Sequence, residues 1–178
     1  MTQETPDAIS CDNVTIYTDG GCEPNPGVGG YGAIVVRGDQ IQEFSGGFLL
    51  TTNNRMEIFA AIAGLETLTT PSHVTLVSDS RYVVDTMSLS WAKRWRANGW
   101  WRNKRERAVN ADLWERLLAL CERHRVTFTW VKGHTGHAQN ERCDVLAMEA
   151  LKRTGLPADV GYEPSSVHTE PLQMELGL

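Results

Sequence analysis

Three strand-like runs precede the first helical repeat, and strands and helices alternate after it. That order constrains the fold more than any other feature of the chain. Val14–Thr18 reads as a strand. Gly20–Gly32 holds six glycines and two prolines and reads as a turn-rich loop. Tyr31–Arg37 and Ile41–Leu49 read as the next two strands, joined by a Gly38-Asp39 turn. Asn54 and Glu57 fit a capping box. Ile58, Ala61, Ile62, Leu65 and Leu68 then repeat at helical spacing until Pro71 ends the element. His73–Val77 reads as a strand, and Ser80 as the cap of a helix through Met87. Leu113, Leu117, Leu120 and Cys121 mark another helix, Val126–Val131 a strand, and Asn140–Lys152 a last helix closed by Gly155 and Pro157. A meander followed by strand–helix alternation implies an α/β domain, a mixed sheet covered by helices. At 178 residues one domain is expected, over 13–155, between a flexible segment 1–12 and an acidic, flexible tail 156–178.

Four carboxylates sit where these strands and helices meet. They are Asp19 in Thr18-Asp19-Gly20, Glu57 in Asn53-Asn54-Arg55-Met56-Glu57, Asp79 in Ser78-Asp79-Ser80, and Asp144 in Glu141-Arg142-Cys143-Asp144. Taken alone, Glu57 and Asp144 read as a capping or solvated acid. Four together, with no soft ligands beside them, form an oxygen-only set that suits Mg²⁺ and metal-assisted phosphoryl chemistry. The cysteines (Cys11, Cys22, Cys121, Cys143) form no C-x-x-C pair and read as reduced thiols, and zinc is not expected.

No apolar run approaches the roughly 18 residues of a membrane span, and Met1–Asp7 lacks the features of a signal peptide. The expectation is a cytoplasmic protein without a membrane partner. Net charge is -5, which at first argues against nucleic acid. The distribution reverses that. Residues 1–12 hold three acids and 155–178 hold four, with no Lys or Arg in either, so the ends carry -7 and the middle +2. Within the middle, residues 91–107 hold seven basic residues, one Glu and four of the chain's six tryptophans. Basic residues interleaved with aromatics suit a phosphate backbone. The expectation is that Trp91 packs inward, while Lys93, Arg94, Arg96 and the charges of 102–107 face a substrate.

Five motifs now stand in order. They are Tyr17-Thr18-Asp19-Gly20-Gly21-Cys22 with Asn25-Pro26-Gly27, then Thr51-Thr52-Asn53-Asn54-Arg55-Met56-Glu57, then Ser78-Asp79-Ser80. Trp130-Val131-Lys132-Gly133-His134-Thr135-Gly136-His137 and Asn140-Glu141-Arg142-Cys143-Asp144 follow. From about Val14 to Lys152 the chain resembles the type 1 ribonucleases H, above all the bacterial ones. The resemblance implies a ribonuclease H-like five-stranded mixed sheet flanked by helices. It also implies endonucleolytic hydrolysis of the RNA strand of an RNA·DNA hybrid by two-metal-ion catalysis, leaving 5′-phosphate and 3′-hydroxyl ends.

By that resemblance Asp19, Glu57, Asp79 and Asp144 hold two Mg²⁺ ions, with Mn²⁺ able to substitute. His134, in a glycine-flanked loop, moves protons and helps product release. Cys22, Asn25, Asn53 and Asn54 fall on the surface that reads 2′-hydroxyls in the minor groove. Thr52 and Asn110 fall on a DNA phosphate pocket, and residues 91–107 on the basic protrusion that grips the DNA strand. Where many bacterial relatives carry Gln two residues after the third acid, this chain has Arg81, a charged donor that can grip a phosphate.

A monomer is expected from the family. The C-terminal Gln173-Met174-Glu175-Leu176-Gly177-Leu178 loosely resembles the short peptides that dock on the bacterial sliding clamp. Two rivals stand beside this reading. A resolvase- or integrase-type nuclease would share acids on a similar sheet but not these motifs together. A non-catalytic binding module would have lost at least one acid.

Overall fold

The computed structural model describes residues 12–164. Most of segment 1–12 and the clamp-like peptide Gln173–Leu178 lie outside the described residues. The elements run β1 (Asp12–Glu23), β2 (Gly27–Arg37), β3 (Gln40–Thr51), α1 (Asn53–Glu66), β4 (Ser72–Ser78), α2 (Arg81–Ser88), α3 (Trp91–Ala97), α4 (Ala111–Arg123), β5 (Arg125–Trp130) and α5 (Ala138–Ala150). The sheet order is β3-β2-β1-β4-β5. β1, β2 and β3 pair antiparallel, while β4 lies parallel to β1 and β5 parallel to β4. This is the mixed five-stranded sheet expected.

The two faces of the sheet carry different helices. Val14, Ile16, Val74 and Leu76 point to one face, where they meet Ile58, Ile62, Leu65, Trp114 and Leu117 of α1 and α4. Ile34 points to the other and packs with Cys143 and Leu146 of α5, beside Tyr17 and Val36. The period-2 alternation of β1 therefore sends Ile16 to the main core and Tyr17 and Asp19 to the α5 side.

Three expectations need correction. The glycine-rich stretch from Gly20 to Gly32 is not a loop. β1 continues through it to Glu23 and β2 begins at Gly27. Its glycines serve close approach: a side chain on Gly20 would meet the backbone N of Glu57 at 2.5 Å, and one on Gly32 would collide with the Cys143 carbonyl and Leu146. The cap of α1 is Thr52, whose hydroxyl accepts from Arg55 N at 3.4 Å; Asn54 lies inside the helix and Glu57 is not part of a capping box. Finally, residues 156–162 are not a free tail. Leu156 is buried, Pro157 O accepts from Leu49 N at 2.9 Å, and the Asp159 side chain is enclosed against α1.

Candidate active site

The sheet register brings the first two acids together. The last parallel pair between β1 and β4 is Thr18↔Ser78. Asp19 and Asp79 each follow that pair by one residue, on neighbouring strands about 4.8 Å apart; Asp79 lies just beyond β4, whereas Asp19 lies within β1 opposite Gly32 of β2, and not at a strand–helix junction as expected. Glu57 reaches them from the second turn of α1, and Asp144 from α5, which lies over β1 and β2.

The four acids act on one another. Burial pushes the Asp19 carboxyl up to about 8, and Asp79, Asp144 and Glu57 add repulsion, against the pull of the Gly20 N–H at 2.8 Å. Burial likewise pushes Glu57 up to about 7; the Ser80 hydroxyl that donates to it works the other way, and Asp79 adds repulsion. Asp79 is fixed on two sides: Asn140 Nδ2 donates to its Oδ2 at 3.1 Å, and Trp130 Nε1 donates to its main-chain oxygen at 3.0 Å. A side chain on Gly133 would come within 2.6 Å of that same Oδ2. Among the described residues no three acidic, histidine or cysteine side chains are yet gathered around one point as a closed ion cage. The carboxylates are coupled through space, and an oxygen-only set whose charges repel fits a hard divalent cation.

The minor-groove residues form a linked chain beside Glu57. Asn53 Nδ2 donates to Glu57 Oε1 at 3.2 Å, Asn53 Oδ1 accepts from Cys22 N at 3.2 Å, and Asn25 Oδ1 accepts from Asn53 N at 3.1 Å. Asn54 is exposed next to them. Thr52 and Asn110 line a common cleft of about 900 Å³ with Arg55, Asp112 and the segment 160–164. Asn110 stands there with φ 62° and donates to the Tyr82 hydroxyl at 3.3 Å. His134 is exposed in the loop between β5 and α5, with φ 53°.

The basic stretch divides. Arg94 lines a cleft with Trp91, Trp95, Trp101 and Arg102, while Lys93 faces Cys121, Val126 and Phe128 on another side of α3. Arg96 departs from expectation: Glu122 at 2.7 Å and Glu115 at 3.5 Å, both on α4, engage it. Trp91 is another departure, 37% exposed, because Trp95 takes the inward position against Trp114. Arg81 lies over the Trp130 ring, near Asp79.

Sequence reasoning missed several supports. Arg55 is almost fully enclosed, held by Asp112 and Asp159. Asn140 was visible only as part of a motif, and Trp130 only as a strand aromatic. Ser80 was read as a helix cap, which it is, through Val83 N at 3.2 Å; its second bond, to Glu57, had no local signal.

The RNase H family model matches residues 11–152. The chain belongs to the RNase H family, among the bacterial type 1 enzymes. A ribonuclease H of Rippkaea orientalis is 58% identical over 156 residues, covering 88% of this chain and 96% of that protein. Among solved structures, LC9-RNase H1, a type 1 RNase H with the type 2 active-site motif, is 30% identical with a TM-score of 0.72 over 82% of this chain and 74% of that one. LC11-RNase H1, solved in complex with an RNA/DNA hybrid, is 25% identical with a TM-score of 0.61, covering 78% and 96%. The chain is thus a nuclease that hydrolyses phosphodiester bonds. Among its described residues no helix is long and apolar enough to cross a membrane.

Proposed function

We propose that this protein cuts the RNA strand of RNA·DNA hybrids endonucleolytically, leaving 5′-phosphate and 3′-hydroxyl ends. The observation that carries the reading is the burial of the Asp19 carboxyl beside Asp79, Asp144 and Glu57: burial first, and then their repulsion, lift it to about 8. Acids kept together at such cost to the apo protein call for a cationic partner. Asp19, Glu57, Asp79 and Asp144 are the residues that would hold Mg²⁺, as two ions in the working enzyme, or Mn²⁺ in its place. When bound, the metal supplies Lewis-acid neutralisation of charge growing at phosphorus and lowers the pKa of the attacking water.

The chain's own groups do the rest. Asn140 and Trp130 hold Asp79 in orientation, and Asn53 and Ser80 hold Glu57. His134, exposed and on a loop, accepts or delivers a proton and helps the product leave. Asn25, Asn53 and Asn54, with Cys22 beside them, present amide donors and acceptors that match a 2′-hydroxyl. Thr52 and Asn110 meet a DNA phosphate, and Arg94 and Arg102 the DNA backbone. The protein works as a cytoplasmic monomer, and Gln173–Leu178 dock on a sliding clamp.

The test is cleavage of end-labelled RNA in a hybrid, as a single strand, and of duplex DNA, with and without Mg²⁺, beside Asp79→Asn. Mg²⁺-dependent cutting confined to the hybrid and lost in the variant is the expected result. Duplex DNA cutting, or hybrid binding without cutting, refutes it.

A further inference from the structure

Arg81 stands where an uncommitted positive charge meets the acid cluster. It is the first residue of α2, two positions after Asp79. Its guanidinium carbon lies 3.6 Å from the centroid of the Trp130 ring. The same indole donates its N–H to the main-chain oxygen of Asp79 at 3.0 Å. Arg81, Trp130 and Asp79 are therefore linked by direct contacts. A guanidinium lying on an indole keeps its in-plane donors at its rim and gives up less freedom when they are used. The nearby acid is Asp85, one turn along α2 and 3.8 Å away; with side chains 61% and 39% exposed, that pair is solvated and weak.

We propose that Arg81 is a preset phosphate contact, gripping a backbone phosphate beside the one attacked, with Trp130 as the positioning residue that fixes it relative to Asp79. This rests on the hybrid-cleaving reading above. The chemistry favours phosphate over a base edge or a 2′-hydroxyl. A charged fork of donors matches two phosphate oxygens at once, whereas a hydroxyl would use one donor and leave the charge unmatched. Four carboxylates also repel a polyanion at this point, and a cation at their rim offsets that repulsion where the backbone must come closest. Glutamine could read an edge here but could supply no charge.

The test compares wild type with Arg81→Gln, Arg81→Lys and Trp130→Phe. Hybrid affinity is followed by fluorescence anisotropy in EDTA from about 50 to about 200 mM salt, and kcat and KM in Mg²⁺, with thermal midpoints confirming folding. Arg81→Gln raises Kd and KM about tenfold with kcat within about twofold, and lowers the salt slope of log Kd by about one. Arg81→Lys keeps the slope and loses part of the affinity. Trp130→Phe keeps an aromatic face but not the N–H, so kcat drops about tenfold.

An Arg81→Gln slope equal to wild type overturns the phosphate contact, as does a loss confined to kcat. A change in preferred cleavage bases at unchanged slope makes Arg81 a groove reader and also overturns it. An unchanged kcat in Trp130→Phe overturns the positioning role. Wild type that neither binds nor cuts the hybrid refutes the hydrolase reading itself, whereas wild type that does both beside an unaffected Arg81→Gln refutes this proposal alone.

Discussion

Replacing Asp159 by asparagine removes one charge from the most enclosed ion cluster in the described fold. Arg55 is 2% exposed. Its Nε and Nη2 donate to Asp159 at 2.6 and 2.8 Å, and its Nη1 and Nη2 donate to Asp112 at 2.9 and 2.7 Å. Asp159 is 8% exposed and also accepts from the Thr51 hydroxyl at 2.7 Å, whereas Asp112 is 44% exposed. Breaking a buried pair by removing one partner costs about 3–5 kcal/mol. Here Arg55 keeps Asp112, and the asparagine oxygen still accepts one bond, so the expected loss is about 2–3 kcal/mol. Asp112→Asn touches the half-solvated partner and should cost about 1 kcal/mol. Arg55→Met leaves two carboxylates facing each other without their cation and should cost about 3–5 kcal/mol.

Urea and thermal unfolding at pH 7 read the difference, with about 2–4 °C per kcal/mol for a domain of this size. The acid limb adds a second check. Arg55 and Thr51 hold the Asp159 carboxyl below its usual range, although burial works the other way. Its stabilisation is therefore present above the unfolded value of 3.8 and lost as pH falls through the lower folded one. The gap between wild type and Asp159→Asn should close in that acid window. A cost for Asp112→Asn equal to or above that for Asp159→Asn refutes the reasoning. So does an Asp159→Asn protein within about 0.5 kcal/mol of wild type, the ordinary range for a surface change.

The acids of the site act with the opposite sign. Because the folded protein binds the Asp19 and Glu57 protons more tightly than the unfolded chain does, metal-free stability should fall as pH rises from about 4 to about 8. Asp19→Asn should restore on the order of 2 kcal/mol to the metal-free protein at pH 8, with the coupled acids sharing the effect. Thermal melts across pH check this, and added Mg²⁺ should raise the wild-type midpoint but not that of the variant. Asn140→Ala releases one oxygen of Asp79 and should lower kcat about 10- to 100-fold with KM nearly unchanged; a change in KM alone would place Asn140 in substrate binding instead. Deleting residues 173–178 should abolish capture of the protein by an immobilised sliding clamp while hybrid cleavage continues; capture by the truncated chain rejects the docking role.

Where local chemistry decided the structure, the sequence was legible. Asp79 follows a β-branched run and precedes a helix, so its place at the end of β4 could be read directly; Asp19 also follows such a run, but β1 continues past it to Glu23. What escaped was set by distant partners. Glycine density signals a turn, but Gly20 and Gly32 are glycines because Glu57 and Cys143 approach from α1 and α5. Asn54 and Glu57 have the spacing of a capping box, but the helix starts two residues earlier than that box implies, so Thr52 is the cap. Asp159 sits in a polar stretch with no periodicity, and its partner Arg55 lies 104 residues away. An arginine enclosed within a helix's first turn runs against the usual exposure of its residue type. Trp91 and Trp95 lie one turn apart, and Trp91 was expected to be the inward one, but of the two it is Trp95 that meets the Trp114 ring.

The charge layout explains how a chain of net charge -5 can hold a polyanion. The acids lie half-enclosed within β1, just beyond β4, and on α1 and α5. The basic residues are exposed on α3 and the loop after it, where Arg102 and Arg107 lie 5.7 and 5.2 Å over the rings of Trp95 and Trp101. Exposed charges further apart than about 8 Å are largely screened from one another at physiological ionic strength. The two groups therefore respond to different ions. Monovalent salt competes with phosphate at the exposed arginines and moves binding. A divalent cation answers the partly buried carboxylates, which monovalent salt screens far less. On this layout salt should act on KM and the divalent cation on kcat.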